Sequence, residues 1–129
     1  MIFLTEDERR SAHSTCYFEF QFCECDRPLK NGCVRDNIIK SWKEDSLCIS
    51  DDDFDEFYKL YGSLFDCAFF PNGERGFDYC GINYYGKDET EKILAKLSAK
   101  NIDRKKYAGL IPWLKIAAER GKGFYILGL

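Results

Sequence analysis

The sequence has almost no histidine: His13 is the only one among 129 residues. Any Ser-His-Asp or Cys-His arrangement must use it. It lies in the polar stretch RRSAHSTC near the N-terminus, where a frayed, exposed side chain is the default and a rigid scaffold for a catalytic base is missing. Phosphate-cradling loops are missing too. There is no G-x-x-x-x-G-K-[ST] and no G-x-G-x-x-G after a strand, and the GKG at 121–123 follows a predicted helix, where a C-cap glycine is expected. No run of about 18 apolar residues offers a membrane span. MIFLTEDERR places its acids too early for a secretory signal. With no repeat, low-complexity tract or long linker, residues 1–129 read as a single domain of a cytoplasmic protein that engages no membrane.

Cysteine is plentiful but unevenly placed, at 16, 23, 25, 33, 48, 67 and 80. Seven is an odd number for a disulfide scaffold, so reduced thiols, several of them small core residues, are the simpler account. A zinc site from Cys16, Cys23, Cys25 and Cys33 lacks the paired C-x₂₋₄-C knuckles that let sulfurs converge. No metal or cofactor is therefore expected. A Cys16/His13 nucleophile pair, with Cys23 and Cys25 nearby, defines the alternative of a small cytosolic thiol- or metal-dependent enzyme.

The formal charge of −3 hides a gradient. Residues 1–86 carry 9 basic and 17 acidic side chains, a net −8, and residues 87–129 carry 10 and 5, a net +5. The imbalance points away from nucleic acid and towards a basic partner. Lys100, Arg104, Lys105 and Lys106 with Tyr107 have no reader motif beside them and read as a solvated helix end.

Periodicity predicts an α+β domain: a mainly antiparallel sheet of about four strands with helices packed on it, in the order β-α-α-β-β-α-α-β. STCYFEFQFCEC alternates, with Cys16, Phe18, Phe20 and Phe22 on one side and Tyr17, Glu19, Gln21 and Cys23 on the other, a half-buried strand. DRPLKNG supplies turn chemistry, and CVRDNIIKSWKED a short helix capped by Asp36. Ser50 can accept from the amide of Asp53 and open a helix whose stripe is Phe54, Phe57, Tyr58 and Tyr61, ended by Gly62. LFDCAFF and FDYCGINYY flank PNGERG as a hairpin. A six-residue loop sets Cys67 opposite Cys80, whereas a two-residue Asn-Gly turn sets it opposite Asp78. Asp88 can cap a helix to about Lys100, and Pro112 opens a helix over 113–120 stopped by Gly121. GFYILGL closes the chain as a strand inside a sheet.

The most charged stretch is Glu44, Asp45, Asp51, Asp52, Asp53, Asp55 and Glu56, with no Lys or Arg between Lys43 and Lys59. Asp51, Asp53 and Asp55 match the first ligand positions of a calcium loop, but the required glycine is replaced by Glu56 and the bidentate glutamate by Gly62. First-turn acids of a helix explain the position but not the quantity, which leaves a solvated face or a binding surface. Aromatics at 16% exceed the needs of a small core, and tyrosines beside acids, as at Tyr58, Tyr61, Tyr84 and Tyr85, suit an interface. A small-molecule module using the aromatic sheet face is a further reading.

SWKEDSLCISDDDFDEFYKLYG, the hairpin LFDCAFFPNGERGFDYCGINYY and the closing WLKIAAERGKGFYILGL resemble, in general character, the small bacterial immunity proteins of contact-dependent growth inhibition and related polymorphic toxin systems. That resemblance implies a one-to-one complex with a cognate toxin domain, often a nuclease, whose basic active site the chain would cover without catalysis of its own. The expected contact residues are Glu44, Asp45, Asp51, Asp52, Asp53, Asp55 and Glu56, with Tyr58 and Tyr61 as anchors.

Overall fold

Alternation along Tyr17–Phe22 makes a strand, and its aromatic side organises the fold. The computed structural model of the chain describes residues 2–12, 16–24 and 42–128. In chain order the elements are β1 (Phe3–Thr5), α1 (Glu6–Arg10), β2 (Tyr17–Phe22), β3 (Leu47–Ser50), α2 (Asp51–Tyr61), a 3₁₀ turn (Gly62–Leu64), β4 (Ala68–Phe69), β5 (Arg75–Gly76), β6 (Ile82–Tyr85), α3 (Lys87–Ala99), α4 (Leu110–Arg120) and β7 (Phe124–Leu127). The architecture is α+β. Among the described residues the strands form one seven-stranded antiparallel sheet in the order β1-β3-β2-β7-β6-β4-β5. No described helix is long and apolar enough to cross a membrane.

Phe18, Phe20 and Phe22 point to the helix side. Phe18 stacks on Phe54 of α2 at 4.1 Å between ring centres, Phe22 stacks on Trp113 of α4 at 4.1 Å, and Phe20 meets Phe65, Trp113 and Phe124. Ile93 and Leu97 of α3 join the same buried cluster. The strand is buried on its other side as well, not half-buried as the alternation predicts. There the Glu19 carboxylate, 2% exposed, accepts from the amides of Trp42 (2.7 Å) and Lys43 (3.1 Å), from the Ser46 hydroxyl and from the Gln21 amide. Those bonds replace its hydration and tie residues 42–46 to the sheet.

The sheet has seven strands instead of four because short pieces escape periodicity. In β1 and α1, Thr5 accepts from the Glu8 amide while Glu8 accepts from the Thr5 amide, a capping box written in TEDE. β3 has only four residues and pairs with both β1 and β2. The hairpin takes neither predicted register. Its loop is Pro71-Asn72-Gly73, closed by Phe70 and Glu74, with Gly73 at φ 87°, so Ala68 faces Gly76 and Cys67 is opposite neither Cys80 nor Asp78. FDYCGINYY is not one strand, since a turn at 79–81 precedes β6. α3 is capped at Gly86, whose amide donates to Glu89, and Asp88 falls in its first turn. α4 begins at Leu110, two residues before Pro112, and Gly121 ends it in a left-handed conformation. β7 lies between β2 and β6, inside the sheet as its hydrophobic run predicts. The turn around Pro28 and Asn31-Gly32 lies outside the described residues. So does the helix capped by Asp36, except the end of its stretch at 42–45, which is not helical, Trp42 having φ 65°.

Truncating Glu19→Ala removes the acceptor of the Trp42 and Lys43 amides and leaves the buried Ser46 hydroxyl and Gln21 amide without it. It should lower stability by about 3 kcal/mol, read as a lower urea midpoint. A midpoint equal to wild type would show that Glu19 does not hold residues 42–46.

Candidate functional site

α2 starts where the sequence places it. The Ser50 hydroxyl accepts from the Asp53 amide at 3.3 Å, Asp51, Asp52 and Asp53 fill the first turn, and Phe54 and Phe57 are buried. A helix turns about 100° per residue, which sends Asp51 and Asp53 to directions about 160° apart, so they do not converge on a calcium ion. Among the described residues no group of three His, Cys, Asp or Glu is placed to hold a metal.

The nine predicted contact residues fall into separate neighbourhoods. Glu44 and Asp45 precede β3, and the acids of α2 follow it, so a four-residue strand of about 13 Å lies between them. Glu44 lines a polar pocket of about 250 Å³ with Thr5, Glu6, Asp7 and Arg10. Asp45 pairs with Arg120 at 3.4 Å, and its carbonyl accepts from the Trp113 indole. On one flank of α2, Glu56 pairs with Lys106 at 2.5 Å, and Tyr61 meets Tyr107 edge to face. On the other flank lie Asp55 and Tyr58. For Asp51, Asp52, Asp53 and Asp55 no lysine or arginine among the described residues comes within ion-pair distance.

The second flank contains residues that sequence reasoning missed. Tyr58 donates its hydroxyl to Asp66, which follows the 3₁₀ turn. Tyr79, 38% exposed, packs against Phe18, Phe54, Tyr58 and Phe77. Burial, followed by the hydrogen bond to Asp66, pushes the Tyr58 phenol well above its ordinary value. Burial also raises Tyr79, and the charges of Asp55 and Asp66 add to it. Asp66 and Tyr79 lay inside segments read as strands. Only the turn at 79–81, which periodicity does not reveal, brings Tyr79 over α2. The turn is held by Asn83, fully buried: its Oδ1 accepts from the Asp78 amide at 2.7 Å, and its Nδ2 donates to the Asp78 carbonyl at 2.8 Å and to Ile126 at 3.1 Å.

No protein-family model, curated protein or solved structure matches the chain.

Among the described residues the thiols do not assemble. Cys16 is exposed just before β2 and Cys23 is buried just after it, with opposite strand parity and about 23 Å of strand between them. His13, Cys25 and Cys33 lie outside the described residues. Cys23 donates to the Tyr125 hydroxyl, and burial pushes the Cys48 thiol up to about 12. The aromatic sheet face offered as a small-molecule site is filled by helices, with Phe18 and Phe20 at 0% exposure.

Two outcomes check this arrangement. Alkylation with iodoacetamide at pH 8 should label the exposed Cys80 long before the buried Cys48, and equal rates would contradict the packing. Tyr58, Tyr79 and Tyr84, the last at about 12, hold their protons in the folded state, while the unfolded chain releases them near the ordinary phenol value of about 10. Their contribution is complete below about pH 10 and is lost as pH rises through the raised values. Urea midpoints should therefore fall above pH 10, and a flat profile there would contradict it.

Proposed function

We propose that the chain is a neutralising partner of the immunity-protein kind: it binds a cognate toxin domain, of the nuclease type, and covers its basic active site. The single observation that supports this reading is the unanswered charge on α2. Asp45 and Glu56 each pair with a cation of this chain, while Asp51, Asp52, Asp53 and Asp55 have none within ion-pair distance among the described residues, and Asp55 shares a flank of α2 with half-buried Tyr58. Uncompensated carboxylates raise the rate of encounter with a basic cleft and can occupy the place of substrate phosphates. Aromatic side chains slow release. Glu44 and Asp45 belong to a separate neighbourhood, so the proposed contact is centred on α2. The thiol-enzyme alternative gains nothing comparable, because Cys16 and Cys23 flank opposite ends of β2 with opposite parity.

A tagged chain should retain one basic protein in stoichiometric amount at low salt. With that protein, the Asp52→Asn/Asp53→Asn/Asp55→Asn variant should associate about tenfold more slowly at low salt and nearly as wild type at high salt, measured by stopped flow. An unchanged association rate would remove α2 as the contact surface.

A further inference from the structure

We propose that Tyr79 anchors this contact surface and receives an arginine side chain of the partner, with Asp55 and Asp66 as the carboxylates that hold its guanidinium. The inference rests on the neutraliser reading and adds the residue chemistry of the contact.

Three independent features meet at Tyr79. The first is exposure without freedom. The ring is 38% exposed, yet four aromatic rings lie against it at centroid distances of 5.3 to 5.9 Å. A tyrosine held this way loses little side-chain entropy when a partner covers it.

The second is the backbone beneath it. Buried Asn83 holds Asp78 on both its amide and its carbonyl. On the other side, the Gly128 amide donates to Gly81, and a Cβ at Gly128 would sit 2.1 Å from the Tyr79 carbonyl. Together these contacts fix the backbone on both sides of Tyr79.

The third is charge. Asp66 accepts from the hydroxyl of Tyr58, whose ring lies 5.5 Å from that of Tyr79, and Asp55 sits one turn before Tyr58 on the same flank of α2; among the described residues neither acid has a lysine or arginine within ion-pair distance. Two carboxylates beside an aromatic ring match a planar guanidinium, which donates five N–H groups and stacks on rings, better than a compact ammonium.

The probe is a nona-arginine peptide at low salt, with nona-lysine as its comparison, titrated against the labelled full chain by NMR. Wild type should bind nona-arginine more tightly than nona-lysine, with the largest shifts at 55, 66 and 77–81. Tyr79→Leu, which keeps an apolar side chain in the packing, should weaken nona-arginine binding by about fivefold or more. The surface variant Asp66→Asn gives a second reading should Tyr79→Leu disturb the fold. It should also lower the preference for arginine. If Tyr79→Leu and Asp66→Asn both bind within about twofold of wild type, the anchor is overturned. In that case, weaker binding by Asp52→Asn/Asp53→Asn, which spares Asp55, would leave the acidic-surface reading standing, and unchanged binding by that variant would remove both. Equal loss for the arginine and lysine peptides would overturn the assignment of arginine.

Discussion

Three phenylalanines two residues apart on one strand determine where everything else can go. Phe18, Phe20 and Phe22 are essentially unexposed, and each lies against at least one ring from a helix (Phe54 or Trp113), from β7 (Phe124) or from the end of the 3₁₀ turn (Phe65). Removing one such ring from a close-packed core costs about 3–5 kcal/mol, a large part of the stability of a domain this size. Because Phe18 stacks on Phe54, the rotation of α2 about its axis is fixed, and the acids between its inward aromatics are fixed outward. The charged surface is thus a consequence of the sheet's aromatic side.

Charge on that helix has two opposing effects. Asp51, Asp52 and Asp53 gain from the helix N-terminus, about 0.3–1 kcal/mol each. Asp51/Asp55 and Asp52/Glu56 are like-charged pairs four apart, each costing about 0.2–0.5 kcal/mol. Asp55 lies beyond the first turn, and although Lys59 stands four residues on along the helix, the two are not within ion-pair distance. Asp55 does share a flank of α2 with Tyr58, which packs on Tyr79, so a partner's cation there would find both a charge and rings.

What could be read from the sequence was whatever repeats with a period or carries a cap. The stripe Phe54, Phe57, Tyr58 and Tyr61, the Ser50 cap, the Gly121 stop and the internal position of β7 all follow from local chemistry. The missed strands are two to four residues long, too short for alternation to register, and exist because neighbours pair with them. Asp66 and Tyr79 were hidden for the same reason. Their meeting over α2 depends on the Gly73 loop and the turn at 79–81, which break the long hairpin that the hydrophobic pattern implies. Nor could spacing along the chain show that four residues of β3 part Glu44 and Asp45 from the acids of α2.

The most direct measurement is the urea stability of Asp55→Asn beside wild type, at low salt and again at high salt. A carboxylate kept for a partner and unanswered within the chain should burden the free protein, so the variant should be as stable as wild type or more stable at low salt, with the difference shrinking as salt screens the repulsion. A variant clearly less stable at low salt would mean that Asp55 serves the fold itself, and would contradict a surface held in reserve for binding.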